Sequence, residues 1–181
     1  MKKSQIRKKY LKLREKKIQN YNLINTNNII KLLKKKLIKG KIIGGYYPYN
    51  NELDCIQILK KLEKKNYIIS LPKIKKNFQM DFIQWSSNEP LVINRFGIPE
   101  PSNGKIKFPD ILLIPLLSFD KKLNRVGYGG GFYDRYIHKI KRIKKPLLVG
   151  LAYSFQRVKN IPINEYDKKL DFVITERNII E

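Results

Sequence analysis

The stretch KIIGGYYPYNNELDCIQILKKLEKKNYIISLP, residues 41–72, reads as strand, turn, helix and strand. KII opens as a buried-strand run and is broken by Gly44, Gly45 and Pro48. Leu53, Ile56, Leu59 and Leu62 then recur at helical spacing, and YIISLP supplies the second strand. Together they form a βαβ unit, whose strands run parallel with a right-handed crossover. Downstream, DILLIPLLSF (110–119) is a continuous apolar run, as expected of a central strand covered on both faces, and it leads directly into a glycine-rich stretch. YDRYIHKIKRI (133–143) is helical, PLLVGLAYS (146–154) is another buried strand, and FVITE (172–176) is the last one. Upstream lie an amphipathic helix over 3–18, with Ile6, Tyr10 and Leu13 on its apolar stripe, and a second helix over 22–38 ended by Gly40. Residues 80–101 start with one short strand and continue as a proline- and glycine-punctuated loop. Alternating strands and helices predict a three-layer α/β/α fold with a mostly parallel central sheet, Rossmann-like, in a single domain spanning 1–181.

Composition narrows the class. Hydrophobic residues make up 42% and aromatics 11%, which suits a chain that folds around one core. The basic start has no apolar segment of signal-peptide or membrane length behind it, so a cytoplasmic protein without a membrane partner is expected. Cys55 is alone and sits on the helical pattern, so it reads as a small buried thiol with no chemistry assigned. The formal charge of +24, from 39 basic and 15 acidic residues, would draw anions. The lysines are scattered along the whole chain and are not interleaved with aromatics on one face, so no specific nucleic-acid partner is expected.

LNRVGYGGGFYDRY (123–136) follows the central strand and precedes a helix. Bare backbone there can approach a ligand closely, and the helix start presents unpaired N–H groups to an anion. The stretch matches neither GxGxxG nor GxxxxGK[ST]. Its flanks are informative: Arg125 can grip phosphate oxygens bidentately, and Asp134 offers a hard oxygen to Mg²⁺. Lys3, Arg7 and Arg14 lie on one face of the opening helix.

NRVGYGGGFYDRY resembles the signature of the 5-formyltetrahydrofolate cyclo-ligase family, also called methenyltetrahydrofolate synthetases. KSQIRKKYLKLR (3–14), YYPYNNELD (46–54), FGIPEP (96–101), and VGLAYSFQ with PINEYDKKLDFVITE (149–156, 162–176) resemble further parts of that family in the same order. The resemblance implies that ATP phosphorylates the formyl oxygen on N5 of 5-formyltetrahydrofolate. N10 then attacks, and phosphate leaves to give 5,10-methenyltetrahydrofolate. It assigns Lys3, Arg7, Arg125, Gly127, Tyr128, Gly129, Gly130, Gly131, Phe132 and Tyr133 to ATP. Tyr47, Glu52, Tyr128 and Phe132 fall to the folate, with Tyr153 and Gln156 lining the site. Asp134 and Asp167 match the positions associated with Mg²⁺, and Arg125, Tyr133 and Asp134 stand nearest the chemistry.

Two departures carry expectations. Some relatives have lysine where this chain has Gly130, which leaves charge neutralisation to Arg125, Lys3, Arg7 and the metal. Truncating Arg125 to alanine is then expected to cut turnover severely while leaving folding intact. Phe132 stands where tyrosine is commoner and lacks its hydroxyl. His138 is expected on the surface or in packing. The basic charge is expected to favour polyglutamylated folates, and a monomer is expected. Two other functions compete with the cyclo-ligase reading: a basic nucleic-acid-binding protein, and a same-fold enzyme acting on phosphosugars or coenzyme A thioesters.

Overall fold

The computed structural model describes residues 1–17, 29–31 and 40–181. The helix expected over 22–38 lies outside these residues except at 29–31, which are helical. In chain order the elements begin α1 (Lys3–Lys17), β1 (Ile42–Gly44), α2 (Cys55–Glu63), β2 (Ile68–Ile74), β3 (Met80–Gln84), β4 (Leu91–Ile93), β5 (Pro99–Pro101) and β6 (Ile106–Lys107). They continue with β7 (Ile111–Pro115), β8 (Ser118–Phe119), β9 (Arg125–Val126), α3 (Phe132–Ile140), β10 (Leu147–Leu151), β11 (Phe172–Ile174) and β12 (Ile179–Ile180). No helix among the described residues is long and apolar enough to cross a membrane.

The βαβ unit forms as its pattern predicts. Asp54 caps α2 by accepting from the Gln57 N–H at 3.2 Å, and Cys55, Ile58, Leu59 and Leu62 are buried on its inner face. Asn66, in the left-handed region at φ 64°, ends the helix, and the Tyr67 N–H returns to the Leu62 carbonyl at 3.2 Å. β2 then pairs parallel to β1, with Ile43 opposite Ile69.

The main sheet has the order β12-β11-β10-β7-β1-β2-β3-β6. β2, β1, β7, β10 and β11 pair parallel, β3 and β12 flank them antiparallel, and β6 pairs antiparallel with β3 at the far edge and so runs in the direction of β2. Ile111 and Leu113 of β7 face the cluster that holds α2, and Leu112 and Ile114 face the one that holds Tyr136, Ile137 and Ile140 of α3. Both faces of β7 are therefore covered, which is why it reads as an unbroken apolar run. The three-layer α/β/α architecture follows. α1 joins neither face; its Ile6 and Tyr10 pack with Leu117, Val126 and Ile161.

The parallel strands, taken in sequence, have the doubly wound order 2-1-3-4-5, so the chain leaves β1 towards one edge and β7 towards the other. Between the carboxyl ends of these neighbours a crevice opens, the usual ligand position of such sheets.

Three expectations change. Residues 91–101 are not loop but the β4–β5 hairpin, with Ile93 opposite Pro99 and Leu91 opposite Pro101. A two-stranded ribbon has a free edge on each strand, so prolines fit without losing a ladder bond. The apolar run does not lead directly into the glycines, because the β8–β9 hairpin intervenes. The buried Asp120 builds its turn by accepting from Lys122 and Asn124 N–H groups at 2.9 and 3.0 Å, with Leu123 left-handed at φ 64°. Finally, FVITE is followed by β12.

Candidate active site

A cavity of about 1220 Å³ occupies the crevice. It exceeds the roughly 300–1,000 Å³ of most single-ligand pockets, so it has room for two ligands. Segments after β1 and β7 wall it, together with the start of α1, the 164–168 segment, the 78–80 turn and the tip of the β4–β5 hairpin. Lys3, Arg7, Tyr47, Glu52, Arg125, Asp134 and Asp167 all line it, as does every residue from 127 to 133.

At one end α1 meets the glycine loop. Arg7 Nε donates to the Gly127 carbonyl at 2.9 Å, and a Cβ on Gly129 would stand 3.2 Å from the Arg7 Cζ. Gly129 has φ +104°, and Gly131 caps α3 at φ +67° with no side-chain cap bond. The loop therefore needs glycine for its backbone path as well as for close approach, and it leaves the first turn of α3 open to an anion. Gly129→Ala is expected to weaken binding of a phosphate-bearing ligand at the loop at least tenfold and to cost about 1–3 kcal/mol of stability through backbone strain. Equilibrium binding and thermal unfolding check both.

The cations here are already engaged. Lys3 Nζ pairs with Asp167 Oδ2. Arg125 Nη2 donates to Asp134 Oδ1 at 2.8 Å, and its Nη1 donates to the Lys168 carbonyl. The Arg125 side chain is only 6% exposed. Its truncation would unpair Asp134 and uncap the 167–168 backbone, so the expectation of intact folding is corrected to one of a destabilised fold.

Asp134 and Asp167 each keep one carboxylate oxygen free of hydrogen bonds from the described residues, since the bonds of Asp134 all go to Oδ1 and those of Asp167 to Oδ2. No group of three or more His, Cys, Asp or Glu among the described residues is placed to hold a metal. Two hard oxygens beside an anion cradle fit Mg²⁺, which takes one or two carboxylates and completes its shell with phosphate and water.

The other end is built by the turn after β1. Asn50 and Asn51 both adopt the left-handed region, at φ 46° and 57°, and return the chain so that the Tyr49 N–H donates to Glu52 Oε2 at 3.0 Å. Glu52 is 7% exposed, and burial raises its carboxyl from the usual 4.5 to about 7. The Arg14 charge and the Tyr49 N–H pull against that rise. Tyr128 reaches across from the glycine loop, donating to the Tyr49 carbonyl at 3.2 Å, with ring centroids 5.8 Å apart. The Tyr133 hydroxyl is buried with no partner among the described residues, and burial lifts it well above the ordinary phenol range. A carboxylate acceptor with a spare hydroxyl nearby can bind a planar edge rich in N–H groups.

Along a third side Phe78 and Phe96 stand 5.8 and 5.7 Å from Phe132, the latter edge-on. Arg135 holds this side together, donating to the Phe78 carbonyl at 3.1 and 2.9 Å and to that of Gly130. Sequence reasoning missed Phe78, Phe96 and Arg135. The available signal was two exposed phenylalanines in short polar turns, KNFQ and NRFG.

Tyr153 and Gln156 are corrected: neither lines the cavity. Gln156 is 2% exposed, donates to the Leu116 and Leu117 carbonyls at 2.8 and 2.9 Å, and accepts from the Tyr153 N–H. It ties down the chain leaving β7. Tyr153 is buried and stacks on Phe155 with centroids 5.5 Å apart. His138 sits at the rim, where its Nε2 meets Arg142 at 2.9 Å. Cys55 is fully buried, and burial pushes its thiol far up.

Comparison with known proteins gives consistent matches. The model of the 5-formyltetrahydrofolate cyclo-ligase family matches residues 1–176. A Haemophilus influenzae protein named 5-formyltetrahydrofolate cyclo-ligase is 34% identical over 153 residues, covering 80% of each chain. One of that name from Escherichia coli is 28% identical over 152 residues, covering 80% of this chain and 83% of its own. Among solved structures, the 5,10-methenyltetrahydrofolate synthetase of Aquifex aeolicus superposes with a TM-score of 0.76 at 30% identity, covering 99% of this chain and 92% of the other.

Proposed function

The chain belongs to the 5-formyltetrahydrofolate cyclo-ligase family, a family of enzymes, and on that premise we propose that it converts 5-formyltetrahydrofolate and ATP to 5,10-methenyltetrahydrofolate, ADP and phosphate with Mg²⁺. A single cavity joins a cationic, glycine-lined end to a buried carboxylate, and this junction carries the proposal. Lys3, Arg7 and the 127–131 backbone receive the triphosphate. Glu52 accepts the N–H edge of the pterin, with Tyr47 and Tyr128 beside it. Phe132, Phe78 and Phe96 take the flat aminobenzoyl arm.

Phosphoryl transfer asks the protein for positioning and charge neutralisation rather than a covalent nucleophile. The γ-phosphoryl group moves to the formyl oxygen on N5, N10 attacks the activated carbon, and that oxygen departs with the phosphate. Arg125 neutralises the transferred group, and the Tyr133 hydroxyl, unpartnered among the described residues and within electrostatic reach of Arg125, donates a hydrogen bond to that group. Asp134 and Asp167 would hold Mg²⁺, which supplies charge neutralisation on the phosphates. The family match over residues 1–176 supports a single domain over 1–181. The net charge of +24 favours polyglutamylated folate.

Purified protein with ATP, Mg²⁺ and 5-formyltetrahydrofolate is expected to develop the near-ultraviolet absorbance of the methenyl product. Omitting any one component is expected to abolish it. No absorbance change with all three present would overturn the proposal.

A further inference from the structure

Arg14 is 1% exposed, the largest fully buried side chain of the described residues. A buried guanidinium is costly unless its charge and donors are matched. Among the described residues no carboxylate comes within ion-pair distance of it, and its Nε has no partner. Among the described residues its one hydrogen bond runs from Nη2 to the Tyr128 hydroxyl, and Cζ lies 5.6 Å from the Tyr128 ring centroid. Position 14 continues the buried stripe of Ile6 and Tyr10, where leucine would satisfy the fold at no electrostatic cost. Packing therefore does not explain the arginine.

The contacts of Arg14 run into the cavity. The Tyr128 hydroxyl accepts from Arg14 Nη2 and donates to the Tyr49 carbonyl at 3.2 Å, and the Tyr49 N–H donates to Glu52 Oε2 at 3.0 Å. Glu52 is thus the end of a chain that starts on α1. Among the described residues, the groups within electrostatic reach of this carboxylate are Tyr46 after β1, Cys55 at the start of α2, Tyr128 and Tyr133 of the glycine loop and α3, and Arg14. Arg14 is the cation among them, and its charge opposes the effect of burial on Glu52.

We propose that Arg14 is a positioning residue for the pterin end of the site, fixing the Tyr128 hydroxyl against the Tyr49 carbonyl and supplying the countercharge that keeps Glu52 an acceptor. This rests on the reading of Glu52 as the pterin acceptor. Without the guanidinium, Glu52 would hold its proton to higher pH and present a hydroxyl where an anion is needed. The triphosphate end, built by Lys3, Arg7 and the glycine backbone, would be left as it is.

The test is the KM for each substrate in Arg14→Met, Arg14→Lys and Tyr128→Phe, measured between pH 6.5 and 8.5. In Arg14→Met the KM for 5-formyltetrahydrofolate is expected to rise by roughly fivefold at pH 7, because a carboxyl that titrates at about 7 and is moved about one pH unit higher falls from about half to about a tenth ionised. The KM for ATP should stay within about twofold, and the folate defect should shrink as pH rises and Glu52 ionises again. Arg14→Lys, which keeps the charge, should recover most of the loss. A merely structural arginine would raise both KM values together, with no recovery at high pH, and that outcome overturns the inference. Should Arg14→Met fail to fold, Tyr128→Phe decides: it should raise the folate KM severalfold and spare ATP, and an unchanged folate KM refutes the chain of contacts. Wild-type protein that turns over no 5-formyltetrahydrofolate would remove both this inference and the proposed function, whereas active wild type with an unaltered Arg14→Met removes this inference alone.

Discussion

Glu52→Gln is expected to weaken binding of 5-formyltetrahydrofolate by about a hundredfold or more, since charge-assisted hydrogen bonds contribute roughly 1.5–3 kcal/mol each. The same variant should be more stable than wild type at pH 8. Burial raises the Glu52 carboxyl from 4.5 to about 7, so the folded state holds this proton more tightly than the unfolded chain does. The resulting stabilisation is complete below pH 4.5 and is lost as pH rises through about 7. The gap between those values corresponds to about 3 kcal/mol, which wild type gives up by keeping a buried carboxylate ionised. Glutamine has no proton to lose, so urea unfolding should show the variant ahead by about 1–3 kcal/mol at pH 8 and level with wild type near pH 5. A folate affinity within threefold of wild type would remove Glu52 from the site. A stability difference independent of pH would contradict the account of its burial.

Arg125→Ala is expected to lower kcat/KM by about three orders of magnitude, the usual scale for removing a guanidinium that neutralises a transferred phosphoryl group. Unlike the glutamine variant it should also lose stability. Its side chain is 6% exposed and forks between Asp134 Oδ1 and the Lys168 carbonyl. Because Asp134 remains 29% exposed and can recover some hydration, the loss should be about 2 kcal/mol, below the 3–5 kcal/mol of a fully buried pair. In a chain of this length that is a fall in Tm of about 4–8 °C. Arg125→Lys should regain part of the stability but little of the rate, since an ammonium cannot reproduce the planar fork. Turnover of Arg125→Ala within tenfold of wild type would place the residue outside the reaction.

The two unequal outcomes reflect which features a sequence displays. β7 and the βαβ unit were legible because burial on both faces leaves a continuous apolar run, and a half-buried helix leaves a 3.6-residue period. The β4–β5 hairpin was not, because Pro99 and Pro101 look like breakers until their strand is known to be an unshared edge. The β8–β9 hairpin escaped for a related reason: Ser118 and Phe119 continue the β7 run without a change of pattern, and the turn is made by Asp120 and a left-handed Leu123 rather than by glycine.

At the site, motif position located the backbone but not the direction of side chains. Glu52 and the 127–134 segment line the cavity, whereas Gln156 turns inward from a 3₁₀ turn to bind Leu116 and Leu117. The sequence also aligned Arg14 with Lys3 and Arg7 but gave no sign of its burial. α1 carries lysine or arginine on most of its surface, and Tyr128, which covers Arg14, lies 114 residues away.

A crystal structure with a non-hydrolysable ATP analogue and Mg²⁺ tests the central claim most directly. The phosphates should lie against the 127–131 backbone within reach of Lys3, Arg7 and Arg125, with the metal at Asp134 and Asp167 and the Glu52 end free for the pterin. Phosphates bound in any other part of the cavity, or outside it, would contradict the account.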